Sequence, residues 1–99
     1  MCGEMMAIQV STNEELKNLL GKTGFILSVD YATKDATVHR TGCPHVNPDS
    51  PKGIHPSYKT SNKTGEFWYS DHREGTLQKV KEIERTRKLK LRFCAVCNP

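Results

Sequence analysis

Two short motifs carry residue types that bind metal ions. Cys94 and Cys97 form a Cys-x-x-Cys motif, and His39 and Cys43 stand four positions apart across a glycine-containing turn. Two thiolates separated by two residues can both reach one tetrahedral Zn²⁺ from a tight turn, and Cys₃His is a common structural zinc set. Together the motifs predict a zinc site with the ligands His39, Cys43, Cys94 and Cys97.

Other assignments of these residues stay open. His45, two residues beyond Cys43, is the rival nitrogen ligand, but Pro44 stiffens that shorter spacing, which favours His39. Thioredoxin-like redox pairs share the Cys-x-x-Cys motif but usually open a helix after a strand in a βαβ unit. Here the motif lies close to the end of the sequence, so a redox pair is not expected. Cys2 is expected to be a free thiol.

Composition indicates a small protein that needs help from a metal or from disulfides. The chain has 99 residues, 35% of them hydrophobic, and a mean hydropathy of −0.64. We expect a single domain over residues 1–99 with a thin core. The first residues lack the charged and apolar regions of a secretory signal, and no apolar run is long enough to span a membrane. A cytoplasmic, reducing location is therefore expected, and it favours metal binding over disulfides.

Positive charge is concentrated in the last third of the sequence. The net charge is +4, and five of the eight residues from Arg85 to Arg92 are basic. Such a block is typical either of a solvated face or of a phosphate-binding surface. The candidates for nucleic-acid phosphate contacts are Arg40, Lys79, Arg85, Arg87, Lys88, Lys90 and Arg92.

Two amphipathic helices are predicted, one over residues 11–21 and one over residues 70–87. Overlapping capping boxes at Ser11 and Thr12 start the first helix, and Gly21 is a suitable stop. In the second, Ser70 or Asp71 is predicted to cap the helix, Asp71 as a capping box with Glu74. Leucines at helical spacing form the apolar stripe of the first helix, and the second presents Leu77, Val80 and Ile83 on one face.

The remaining elements are strands and one long loop. Strand-forming residues are found at 25–29, 36–39 and 66–69, and a half-buried strand is expected at 89–93, just before Cys94. Residues 44–65 hold four of the five prolines and predict a long loop. The pattern predicts an α+β zinc-binding domain with a short antiparallel sheet, two helices and a terminal Cys-x-x-Cys zinc turn.

The stretch from Tyr31 to Pro99 resembles the N-terminal metal-binding domain of Ada-type DNA repair proteins. In that family a strand leads into a Cys-x₃-Cys pair, an aromatic strand and a short helix follow, and a Cys-x-x-Cys closes the zinc site. The matching pieces here run from His39 to Cys43, from Phe67 to Ser70, through the helix after Asp71, and from Cys94 to Pro99. The resemblance implies a similar zinc scaffold with a DNA-facing surface.

Two departures from the Ada-type pattern change what it implies. The family's first cysteine is both a zinc ligand and the nucleophile that accepts a methyl group from a DNA phosphotriester, whereas His39 occupies that position here. A zinc-bound imidazole lacks thiolate nucleophilicity, so methyl transfer is not expected. The 50 residues between Cys43 and Cys94, including the 44–65 loop, are the second departure.

Three classes of function follow from these observations. The first is a zinc-stabilised nucleic-acid-binding module that contacts DNA backbone phosphates, with exposed members of Trp68 and Tyr69 as stacking candidates. The second is a structural zinc domain that binds an acidic protein partner. The third and weakest is an enzyme, since four protein ligands leave zinc no open position. Were His39 not a ligand, the possible bases would be His45, His55 and His72.

Overall fold

A computed structural model describes residues 7–19, 21–43, 56 and 63–95 of the chain. One sheet and two helices make up these parts. The elements in chain order are β1 (Ile8–Val10), α1 (Asn13–Leu19), β2 (Phe25–Asp30), β3 (Asp35–Arg40), β4 (Gly65–Ser70), α2 (Arg73–Ile83) and β5 (Lys90–Phe93). The predicted α+β class with two helices is confirmed for the described residues.

The sheet has five strands in the order β1-β4-β2-β3-β5. All neighbours are antiparallel except β3 and β5, which are parallel. The prediction of a purely antiparallel sheet was therefore wrong at one edge, because α2 crosses over between β4 and β5 and returns the chain in the direction of β3. The three-residue strand β1 was missed because it is too short to show an alternating pattern.

Each face of the sheet packs against one helix. On one face, Ile26 of β2 and Phe67 of β4 pack with Leu16 of α1, and Cys43 and Cys94 belong to the same cluster. On the other face, Leu27, Val29, Ala36 and Val38 pack against Val80 of α2, with Leu77 and Ile83 at the margin. The apolar stripe predicted for α2 is confirmed. The alternation along β2 and β3 thus divides a thin core into two layers.

Both helices are shorter than the predicted spans 11–21 and 70–87. In α1 the Thr12 hydroxyl accepts from the Glu15 backbone N–H at 3.1 Å and the Glu15 carboxylate accepts from the Thr12 N–H at 3.2 Å, so the Thr12–Glu15 capping box is confirmed. The Ser11 N–H also donates to the Glu15 carboxylate, at 2.7 Å, rather than to Glu14. The box predicted for Asp71 and Glu74 was wrong. His72 is the N-cap of α2 and makes no side-chain cap bond, while its N–H donates to the Ser70 hydroxyl at 3.2 Å.

The edge strand β5 is more exposed than its sequence predicts. All four of its residues are exposed, including Leu91 at 44% and Phe93 at 47%. The strand expected at 89–93 is confirmed at 90–93. Its predicted half-burial was wrong, because β5 lies at the sheet edge and has no neighbour on its far side among the described strands. Arg73 of α2 extends its guanidinium over the Phe93 ring, 5.7 Å from the centroid.

The predicted 44–65 loop lies outside the described residues except at 56 and 63–65. At its far end the prediction was too long, because Gly65 already begins β4. Among the helices that the structure describes, none is both long and apolar enough to cross a membrane.

Candidate functional site

The end of β3 positions two of the predicted metal ligands. Ile26 is the register partner of His39, so the imidazole lies on the α1 side of the sheet. After Arg40 the chain turns through Gly42, whose φ of 82° suits glycine. The Cys43 N–H closes this turn on the Arg40 carbonyl at 3.1 Å. The turn carries the Cys43 thiol back towards the imidazole.

The third ligand arrives with β5. Phe93 is the register partner of Val38, and the Cys94 N–H donates to the Val38 carbonyl at 3.0 Å. Parallel pairing with β3 therefore brings Cys94 beside His39, although 54 positions separate them in the sequence.

These three side chains form a buried group that could hold a metal ion. The Cys43 sulfur lies 3.7 Å from His39 Nδ1 and 3.8 Å from the Cys94 sulfur, and the ligand atoms all lie within 4.8 Å of one another. His39 is 6% exposed, Cys43 3% and Cys94 7%. Cys43 and Cys94 are not joined by a disulfide. The predicted fourth ligand, Cys97, lies outside the described residues, as do His45 and His55.

The predicted phosphate-binding residues do not share one environment. Lys79 is engaged twice, because its ammonium lies 4.0 Å from the Trp68 ring centroid and 2.8 Å from a Glu82 carboxylate oxygen. That hydrogen bond and charge lower the pKa of Glu82. Arg92 donates to Asp35 at 3.1 Å. These pairs reduce the charge that Lys79 and Arg92 offer to a ligand.

The aromatic residues proposed for stacking are occupied by the fold. Trp68 is covered on one face by Lys79, and its indole N–H donates to Glu66 at 2.5 Å. Tyr69 packs at the margin of the α1-side core and donates its hydroxyl to the Thr23 carbonyl at 3.1 Å. Neither ring is presented as an open platform.

An unpredicted aromatic, Tyr31, contacts the basic segment instead. The Arg87 guanidinium carbon lies 3.7 Å from the centroid of the Tyr31 ring. The Tyr31 hydroxyl donates to Glu66, which also accepts from Trp68. Burial, reinforced by this bond to Glu66, raises the pKa of Tyr31 from 10.0 to about 12. Tyr31 is thus a fixed, protonated support for Arg87.

A basic pocket lies beside this stack, between the β2–β3 turn and the segment after α2. The part next to Tyr31 encloses about 270 Å³, and an adjoining part encloses about 430 Å³. The basic pocket is lined by Tyr31, Thr33, Lys34, Thr86, Arg87, Lys88, Leu89 and Lys90. Its lining contains four cations and no carboxylate. Within the described ranges, no acidic side chain forms an ion pair with Lys34, Lys88 or Lys90.

Sequence reasoning missed Lys34 and Tyr31 because both lie in the turn, far from the basic block in sequence. One signal was present in the turn itself, where a lysine follows Tyr31 between two strands. The structure adds that Lys34 has a φ of 61° and that its carbonyl accepts from the Lys90 N–H at 2.7 Å. This bond joins the turn to the start of β5.

The remaining predicted cations, Arg40 and Arg85, are exposed but are not among the residues lining the basic pocket. Arg40 ends β3 at the metal-ligand end of the sheet, and Arg85 follows α2. Of the three histidines named as possible bases, His72 is exposed at the start of α2, 4.0 Å from Asp71.

A comparison of the chain with protein-family models gives no match, and comparisons with curated proteins and with solved structures give none either. The residues and their geometry therefore carry the functional argument.

Proposed function

We propose that the protein is a zinc-stabilised nucleic-acid-binding module that contacts backbone phosphates through its basic face. The observation that carries the zinc part is the buried triad of His39, Cys43 and Cys94. The basic pocket next to the β2–β3 turn, which no carboxylate lines, supports the nucleic-acid part.

The spacing of the triad supports zinc as the metal. With Zn–S near 2.3 Å and Zn–N near 2.0 Å, tetrahedral geometry puts two sulfurs about 3.8 Å apart and a sulfur and a nitrogen about 3.5 Å apart. The distances are 3.8 Å for Cys43 to Cys94 and 3.7 Å for Cys43 to His39. Soft thiolates with one imidazole also favour zinc over the hard cations, which take oxygen ligands. Cys97 is proposed to complete the tetrahedron.

Zinc at this position would do structural rather than catalytic chemistry. The triad belongs to the α1-side core, where it joins the end of β3 to the end of β5. A metal there would substitute for the apolar area that a small domain lacks. A reducing compartment, and we propose the cytoplasm, keeps both thiols available to the metal.

The Ada-type resemblance supports the same scaffold and a DNA-facing role. It does not extend to methyl transfer in this proposal. The position of the family's nucleophilic cysteine is taken by His39, and an imidazole bound to zinc has no thiolate to accept a methyl group. The proposed activity is binding alone.

Phosphate contact fits the electrostatics of the basic pocket. Lys34, Lys88 and Lys90 converge there from two segments, and Arg87 is exposed beside them. Cations gathered in this way attract phosphates without reading base sequence. Lys79, Arg85, Arg92 and Arg40 are proposed as further phosphate contacts outside the basic pocket, with Lys79 and Arg92 weakened by their carboxylate partners.

Native mass spectrometry tests the zinc proposal. One zinc per chain is expected in the parent protein, with loss in His39→Ala and Cys94→Ser. Retention is expected in the matched controls His72→Ala, which alters an exposed histidine, and His45→Ala, which alters the rival ligand. A folded, metal-free parent would overturn the proposal, and zinc lost only in His45→Ala would replace His39 by His45.

Fluorescence anisotropy with labelled oligonucleotides tests the binding proposal. The logarithm of affinity should fall linearly with the logarithm of salt concentration, with a slope near −0.9 per phosphate contact on duplex DNA and near −0.7 on a single strand. Absence of binding at low salt would refute the nucleic-acid function while leaving the zinc site standing.

One observation favours protein binding as the second candidate function. The exposed apolar side chains Leu91 and Phe93 project from an edge strand towards the α2 side of the sheet. An acidic protein partner with an apolar patch would match this strand. The affinity for such a partner would depend less steeply on salt than the affinity for phosphates does. The same anisotropy series, run with a captured partner, therefore separates protein binding from nucleic-acid binding.

A further inference from the structure

The basic pocket has features that a generic phosphate-binding face does not need. Its lining is rich in cations, but it also includes Tyr31 and the half-buried Leu89. Backbone contacts alone would be satisfied by exposed lysines. A pocket with an apolar wall beside a stacked guanidinium offers a surface for a flat, apolar group as well.

The Arg87 guanidinium lies over the Tyr31 ring. Its carbon lies 3.7 Å from the ring centroid, and the residue is exposed, so a ligand can reach the side of the guanidinium that is turned away from the ring. The turn after α2 fixes its backbone, because the Arg87 N–H donates to the Ile83 carbonyl at 3.0 Å. Tyr31 is itself anchored by Glu66 and by its own N–H, which donates to the Thr64 carbonyl at 2.9 Å. Nucleobases stack on guanidinium planes as they do on aromatic rings.

Cations suited to binding phosphate line the same pocket as this guanidinium. Lys34 and Lys88 line the same part of the basic pocket as Arg87, and they also line the adjoining part together with Lys90. A nucleotide whose base lies on Arg87 would therefore find cations in the same pocket for the phosphates that flank it. In a duplex the base faces are covered by neighbouring base pairs, so only an unpaired base can use this platform.

We infer that the basic pocket binds one unpaired nucleotide of a single-stranded nucleic acid, with the base stacked on the open face of Arg87 and the flanking phosphates on Lys34 and Lys88. The inference rests on the proposed nucleic-acid function and narrows its substrate from any polyanion to a single strand. Lys34 and Lys88 supply charge, whereas Arg87 supplies both charge and a plane.

Arg87→Lys is the variant that isolates the plane, because it keeps the charge and removes the flat guanidinium. With a short single-stranded DNA of mixed sequence, we expect its affinity to fall about tenfold, the scale of one lost stacking contact. Its salt slope should stay that of the parent. Lys34→Asn should instead lower the magnitude of the slope by about 0.7, and asparagine tolerates the positive φ at this position.

Lys22→Gln is the matched charge control. Lys22 is exposed, and its carbonyl accepts from the Thr41 hydroxyl, which places it at the end of β3 opposite to Lys34. The Lys22→Gln variant removes one positive charge outside the basic pocket, and its affinity for the single strand should stay within about twofold of the parent's. Circular dichroism and zinc content confirm that each variant keeps the fold.

Anisotropy with single-stranded DNA, single-stranded RNA and duplex DNA of the same sequence completes the test. A preference for single strands over the duplex that Arg87→Lys lowers about tenfold supports the inference, and the two single strands tell which sugar is preferred. Equal or tighter duplex binding, or an Arg87→Lys affinity equal to the parent's, overturns the single-strand inference while the nucleic-acid function survives. No binding to any of the three refutes both.

Discussion

The two ends of the β2–β3 hairpin differ in every property that matters for function. At the end where β3 finishes, His39, Cys43 and Cys94 are buried and converge within 4.8 Å. At the end where β3 begins, Lys34 and its cationic neighbours are exposed around a shallow pocket. β5 runs between the two ends. The Lys90 N–H at its start donates to the Lys34 carbonyl, and the Cys94 N–H just after it donates to the Val38 carbonyl. Burial suits a group that stabilises the fold, and exposure suits one that meets a ligand.

The largest effect is expected from a metal ligand. Structural zinc contributes about 10 kcal/mol or more in small domains, against a total stability of about 5–15 kcal/mol, so Cys94→Ser should be largely unfolded at 25 °C. Thermal melts with and without added zinc measure this. Cys2→Ser is the control and should melt like the parent. A Cys94→Ser protein that melts cooperatively at the parent temperature would mean that the buried end does not depend on a metal.

The second prediction concerns β5, which spans both ends. The hydrogen bond from the Cys94 N–H, just after β5, to the Val38 carbonyl lies beside the buried triad. The hydrogen bond from the Lys90 N–H, at the start of β5, to the Lys34 carbonyl lies at the exposed turn. Local opening is easier where a strand is exposed, so the Lys90 amide should exchange with solvent at least about tenfold faster than that of Cys94. Amide exchange followed by NMR on the zinc-loaded protein measures both. Equal rates would show that the two ends open as one unit.

A smaller effect on stability is expected from removing the hydrogen bond between Tyr31 and Glu66 at the exposed end of the hairpin. Tyr31→Phe removes the hydroxyl that donates to Glu66, which should lower the free energy of unfolding by about 1 kcal/mol in urea denaturation. Tyr69→Phe is the matched comparison, since its bond to the Thr23 carbonyl lies in an exposed position and should matter less. A larger loss in Tyr69→Phe would mean that the Tyr31–Glu66 contact does not brace the turn.

The smallest effect is a pH dependence at the same residue. Burial raises the pKa of Tyr31 from 10.0 to about 12. The protonated form is therefore favoured by folding, and its stabilising contribution is complete below pH 10 and lost as pH rises towards 12. Between these values the parent should lose more stability than Tyr31→Phe. Denaturation series at pH 9 and pH 11, with tyrosinate absorbance recorded alongside, compare them, and equal losses would contradict the shift.

The two ends were not equally predictable from sequence. Coordination chemistry restricts metal ligands to few residue types, so His39, Cys43 and Cys94 could be selected by type and spacing without knowing the fold, and the structure brings these three together. The strands at 25–29, 36–39 and 66–69 followed from alternation and were confirmed within one residue at either end. Local patterns were sufficient in both cases.

Tertiary contacts decided the rest. Lysines and arginines are common on any surface, and only the packing shows that Lys79 and Arg92 are paired while Lys34 joins the basic pocket. The parallel pairing of β5 with β3 is likewise set by the crossover of α2 rather than by the sequence of β5. Exposure of Leu91 and Phe93 follows from that edge position.

The alternating sequence of β5 has a consequence for solubility. An edge strand exposes unpaired backbone groups that can pair with the edge of another copy and seed aggregation. Here Lys90 and Arg92 alternate with Leu91 and Phe93, so two copies that aligned their edges would bring like charges together. Arg92 is partly neutralised by Asp35, so Lys90 contributes more of the repulsion between two such edges. Polyanions that cover Lys90 would remove this protection and allow molecules to associate side by side along a strand of nucleic acid.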